Sequence, residues 1–138
     1  MFEKILVPVD GSPSAKKAAL VAKEISEKFG SEVFIINVLP DIAFISQEIS
    51  VDVLNQYKVS SENILTSMKA LFDKNADAVR TMSLTGNVSD DIISFAESEH
   101  VSLIVMGSRG LGTFSRALLG SVSDNVIHHS KISVMVVK

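Results

Sequence analysis

Apolar residues in this chain fall into short continuous runs that alternate with longer stretches in which they recur every three or four positions. A continuous run marks a strand buried on both faces, whereas recurrence near 3.6 marks one face of a helix. The first run is Glu3 to Val9, with Pro8 lacking an N–H and so predicted to stand where ladder pairing ends. Ser12 and Pro13 then supply a cap and a first helical residue. Ala18, Val21, Ala22, Ile25 and Phe29 form the predicted inward face, and Gly30 is placed to end the helix left-handed. Glu32 to Leu39 is the second strand, built on Val33, Phe34, Ile35, Ile36 and Val38 and stopped by Pro40.

From Asp41 to Ser50 the periodicity is poor, so an irregular or mobile segment is expected there. Tyr57, Ser61, Ile64, Leu65, Met68 and Phe72 then share one face of a long helix, and that aromatic and methionine content reads as core packing. Ala78 to Leu84 is a third strand, made more polar by Arg80, Thr81 and Ser83. Gly86 and Asn87 turn the chain, and Asn87 with Asp90 caps a helix that turns Val88, Ile92 and Ala96 inward. Ser102 to Met106 is the fourth strand. Gly120 and Ser121 open a last helix with Val122 and Val126 inward, and Ile132 to Val137 is the fifth strand. Strands alternating with helical crossovers define the α/β class, a doubly wound parallel sheet with right-handed crossovers.

The length of 138 residues and 46% hydrophobic content fit one compact domain, residues 1–138. A formal charge of −3 argues against electrostatic binding of nucleic acid or of an acidic membrane surface. With no cysteine, disulfides and thiolate zinc sites are excluded. His128 and His129 are adjacent and diverge around a helix, so the histidines read as helix-end or solvent residues rather than metal ligands. No apolar run approaches the ~20 residues of a membrane span, and a cytoplasmic location is expected.

The chemistry is concentrated after the fourth strand. Met106-Gly107-Ser108-Arg109-Gly110 leads on to Gly120-Ser121-Val122-Ser123 with the spacing Gly-x2-Gly-x9-Gly-Ser. Between Val101 and Val122 there is no acidic residue, while Arg109 and Arg116 are present. Glycines between a strand and a helix let backbone amides converge on an anion, so the stretch reads as a phosphate cradle. It is not a P-loop, since no Gly-Lys-Ser or Gly-Lys-Thr occurs.

Set against the amino-terminal Lys4-Ile5-Leu6-Val7-Pro8-Val9-Asp10-Gly11-Ser12, this spacing resembles the nucleotide-binding branch of the universal stress protein family, over Glu3 to Lys138. The resemblance implies a Rossmann-like, five-stranded parallel sheet of order 3-2-1-4-5 with helices on both faces. Strands one and four then meet at a topological switch point, where open α/β sheets form their ligand crevice. It also implies ATP as ligand, with or without magnesium. The crevice set is Pro8, Val9, Asp10, Val38, Met106, Gly107, Arg109, Gly110, Gly120, Ser121, Val122 and Ser123. In that set Val38 corresponds to the family's backbone contact to the adenine edge, and Asp10 to a nucleotide contact. Asp10 has an alternative role as a turn cap accepting from the Gly11 and Ser12 amides. Ser121 and Ser123 are either hydroxyl donors to phosphate or simple helix caps, and Arg109 reaches either phosphate or solvent.

The resemblance leaves three readings. A nucleotide-dependent switch or stress-response regulator acting through an unidentified protein partner is the first; a slow ATPase or phosphotransferase using the same pocket, with Asp41 and Asp124 as further metal or water partners, is the second. A nucleotide-free scaffold is the third, and the retained glycine pattern disfavours it. The proposed strand order exposes strands three and five. Ser133-Val134-Met135-Val136-Val137 is nearly all apolar, so a two-fold symmetric homodimer through strand five is expected, as the resemblance also implies.

Overall fold

The computed structural model describes residues 1–41, 51–110 and 120–138. Of the segment from Asp41 to Ser50 only Asp41 is among them, and Arg116 lies outside them. The elements are β1 (Lys4–Pro8), α1 (Pro13–Phe29), β2 (Glu32–Pro40), α2 (Val51–Lys69), β3 (Val79–Gly86), α3 (Val88–Ser98), β4 (Leu103–Gly107), α4 (Ser121–His129) and β5 (Ser133–Val137). The five strands form one sheet of order β3-β2-β1-β4-β5, and every pairing is parallel. This is the doubly wound order expected.

Burial follows the period-two alternation of the strands. Ile5 and Val7 of β1, with Val33 and Ile35 of β2, pack against α1 and α2 on one face; Leu6, Phe34, Ile36 and Val38 pack against α3 and α4 on the other. The crossovers after β1 and β4 therefore leave on opposite faces, and the carboxyl ends of those two strands open into a shared crevice. At Pro8 the ladder does end on one side. Register between β1 and β4 stops at Leu6, whereas Val9 still donates its N–H to the Ile36 carbonyl of β2 at 2.8 Å. Since successive N–H groups point to opposite sides, proline's missing donor falls on the side with no partner to disappoint.

Capping holds the helix starts where the sequence placed them. The Ser12 hydroxyl accepts from the Ala15 amide at 3.1 Å with Pro13 at the first turn, Gly30 closes α1 at φ 66°, and the Asn87 side chain accepts from the Asp90 amide at 3.1 Å. Three side chains depart from expectation. Phe29 keeps the azimuth of Ala22 but is 63% exposed, because it is the last residue of α1; Phe2 meets it edge-on at 5.2 Å between ring centroids. The fully buried stripe of α1 is Ala15, Ala18, Ala19, Ala22 and Ser26, small residues that let the helix lie close to the sheet, and Val21 and Ile25 pack half-buried against the same core, as expected. Phe72 is fully buried, as expected, but from the turn after α2 rather than from the helix. Tyr57 is not core at all. Gly86, expected to turn the chain, is instead the last residue of β3, in register with Pro40.

Candidate functional site

Above the carboxyl ends of β1, β2 and β4 lies a cavity of about 450 Å³. Pro8, Val9 and Asp10 enter it from the end of β1 and Val38 from β2. Met106, Gly107, Arg109 and Gly110 line it from β4 and the loop beyond, and Gly120, Ser121, Val122 and Ser123 from the start of α4. Every residue of the set expected from sequence thus faces one space. The remaining wall comes from residues that the sequence did not assign to a site: Ala15 of α1, Asn37, Leu39 and Pro40 of β2, Val88 and Ile92 of α3, and Tyr57, Ser60, Ser61 and Ile64 of α2.

The glycines of the cradle have different jobs. None of Gly107, Gly110 and Gly120 is among the glycines with positive φ, so their need is for room and not for an unusual backbone. A Cβ on Gly107 would lie 2.7 Å from the Ser14 carbonyl carbon and 2.8 Å from its oxygen, so this glycine lets the first turn of α1 pack onto β4. A Cβ on Gly110 would come 2.8 Å from Asp10 Oδ2, so Gly110 makes room for that carboxylate. At Gly120 the same atom would meet only backbone at 3.5 Å or more, an ordinary contact. Of the three, Gly120 alone is not demanded by the protein's own packing.

The start of α4 is held by the backbone around it. The Gly120 N–H donates to the Ser108 carbonyl at 2.6 Å, Ser108 N–H to Val137 at 3.0 Å, and the buried Ser123 hydroxyl donates to the Gly107 carbonyl at 2.7 Å. Ser123 is therefore a brace between α4 and β4, its proton already committed, and not a free donor to a ligand. Ser121 is exposed at the first position of α4, and Gly120 as cap offers no side chain to the helix N–H groups. Amides at such a helix start favour an anion.

Asp10 Oδ1 accepts the Ser12 amide at 2.9 Å, so the turn-cap role is present. Asp10 is the only acidic residue on the cavity wall among the described residues. Asp124 points elsewhere and sits 3.3 Å from His128 Nε2 one helical turn on, while His129 Nδ1 lies 2.9 Å from the Asn125 carbonyl. Among the described residues no group of three or more His, Cys, Asp or Glu side chains converges as metal ligands would. Asn37, absent from the sequence-based set, is buried beside the cavity and donates its amide to the Val9 carbonyl at 2.7 Å, tying the end of β2 to the end of β1. A lone Asn in an otherwise apolar strand was the signal available for it.

Comparison with known proteins places this architecture. The model of the universal stress protein family matches residues 1–138. The chain belongs to that family. It is 33% identical over 141 residues to universal stress protein MJ0531 of Methanocaldococcus jannaschii, covering 100% of this chain and 83% of that one. The solved structure of MJ0577 from the same organism superposes with a TM-score of 0.89 at 30% identity, covering 100% of this chain and 96% of that one. A universal stress protein crystallised in complex with cAMP matches at a TM-score of 0.77 and 25% identity, with 99% and 97% covered. Among the described residues, no helix is long and apolar enough to cross a membrane.

Proposed function

We propose that this chain is an ATP-binding universal stress protein of the cytoplasm, in which nucleotide occupancy of the switch-point cavity serves as a signal to a protein partner. The observation that carries the reading is the two-part chemistry of that cavity. One end is apolar, with Val38, Val88 and Ile92; the other is the amide-rich start of α4, with Arg109 beside it. A base fits the first and phosphates the second. The relative that holds cAMP supports an adenine ligand. Binding rather than turnover suits the wall: its acid, Asp10, already accepts from the Ser12 amide, and amides that grip ground state and transition state alike do not raise a rate.

Calorimetry with ATP and magnesium tests this. Gly120→Val sets a branched side chain beside the α4 amides without a clash at its Cβ, and is expected to weaken ATP at least a hundredfold, about 2.7 kcal/mol, in a folded protein. Unchanged affinity in that variant overturns the phosphate assignment. In the same samples, single-turnover hydrolysis is expected to stay well below the roughly 1–100 per second of kinases; turnover in that range, lost in Asp10→Asn, favours the enzyme reading.

We also propose a homodimer through β5, the edge strand formed by Ser133, Val134, Met135, Val136 and Val137. Val134 and Val136 pack inward against the α3 and α4 side, while Met135 remains exposed on β5, as does Ile127 on α4. Light scattering at micromolar concentration should give a dimer, and Met135→Lys a monomer. A monomeric wild-type chain rules the interface out.

A further inference from the structure

We propose that Tyr57 is the base-stacking residue of the cavity, closing a slot for a planar aromatic ring over the carboxyl end of β2; this rests on the nucleotide reading above. The placement follows from the sheet register. Ser61 of α2 shares a hydrogen bond of 2.7 Å with Ser83 of β3, and Ser83 is level with Asn37 of β2. As the crossover from β2 to β3, α2 runs antiparallel to the strands, so its earlier residues stand higher. Tyr57 precedes Ser61 by one turn, about 6 Å along the axis, which lifts it from the level of Asn37 to that of Leu39 and Pro40 on the same cavity wall. There it lies on the α2 side of the sheet, while Val88 and Ile92 line the cavity from the α3 side. A ring entering over β2 meets the tyrosine on one face and aliphatic side chains on the other.

The exposure of Tyr57 fits this role. It is 43% exposed on a helix whose Ser61, Leu65 and Met68 are all buried, so its ring contributes little to the core and much to the cavity. A flat apolar ring with few rotatable bonds is suited to stacking on a base. Because the amide-rich end lies across the sheet at α4, Tyr57 serves the base and not the phosphates, and its contribution is the same for every phosphate count.

The chain has one tyrosine and no tryptophan, so its near-ultraviolet emission reports on Tyr57 alone. Wild type, Tyr57→Phe and Tyr57→Ala are titrated with ATP and with AMP by calorimetry, and the wild-type emission is followed in parallel. The expected result is quenching of the emission on saturation, a loss of roughly tenfold in affinity for both nucleotides in Tyr57→Ala, and retention within about twofold in Tyr57→Phe. Wild-type binding of ATP with unchanged emission and full affinity in Tyr57→Ala overturns the stacking role and leaves the nucleotide reading standing. Equal losses in the Phe and Ala variants assign the effect to the hydroxyl and also overturn it. Failure of wild type to bind either nucleotide overturns the nucleotide reading and the stacking role together.

Discussion

Two walls of the cavity are built on different principles. The wall formed by β1, β4 and the start of α4 is backbone, fixed by Gly120 donating to Ser108, Ser108 to Val137, and the Ser123 hydroxyl to Gly107. The α2 wall is side chain, with Tyr57, Ser60, Ser61 and Ile64 lining the space and Ser61 also sharing a hydrogen bond with Ser83 of β3. All ten residues from Val51 to Ser60 are exposed, and α2 is buried against the sheet only from Ser61 onward. A backbone wall offers amides at fixed positions, which suits charge. A side-chain wall can change residue by residue without disturbing the sheet, which suits selectivity for a base or for a partner.

The largest expected effect breaks the first wall at its closest approach. In Gly107→Ala the new methyl meets the Ser14 backbone, which is part of the first turn of α1 and cannot rotate away. Overpacking against backbone is expected to cost about 3 kcal/mol, at the upper end of such effects. Gly120→Ala, whose methyl finds only ordinary contacts, is expected to cost less than about 1 kcal/mol, the loss attached to a poorer cap. Urea unfolding of the two variants checks this. Equal costs, or a larger cost at Gly120, contradict the division between a packing glycine and a ligand glycine.

How much of this was legible in the sequence differs between the walls for the same physical reason. Backbone walls need glycine, proline and caps at fixed spacing, and these residues are few and conspicuous; the strand order aside, which came from family resemblance, the fold could be read from run lengths and from Ser12, Gly30 and Asn87. What spacing could not convey was which glycine serves packing and which serves the cavity, because Ser14 and Asp10 approach Gly107 and Gly110 only in three dimensions. The α2 wall was hidden by its own periodicity. Tyr57 repeats correctly with Ser61, Leu65 and Met68, so it reads as core. Yet α2 starts above the edge of the sheet, where the inward face of its first turns meets the cavity and not the core. Asn37 stands out as an amide in an apolar run, but its partner, the Val9 carbonyl, meets it only in three dimensions.

The smallest expected effect separates the two serines that the sequence treated alike. Ser123 is buried and gives its proton to the Gly107 carbonyl, a group at the seam between β4 and α4. Removing a buried donor leaves its acceptor without that bond, and Ser123→Ala is expected to cost about 1 kcal/mol. Ser121 is exposed at the first turn of α4, and Ser121→Ala is expected to change stability by less than about 0.5 kcal/mol, as surface substitutions do. In ATP affinity the order reverses. A serine whose hydroxyl is committed inside the protein affects the ligand only through the position of α4, whereas one standing at the helix start can donate to a phosphate, so Ser121→Ala should weaken ATP by a few-fold, the loss of one solvent-accessible hydrogen bond. Paired unfolding and calorimetry measure both quantities. A Ser123→Ala protein with wild-type stability and much weaker ATP binding would return Ser123 to the ligand and take the brace away from the backbone wall.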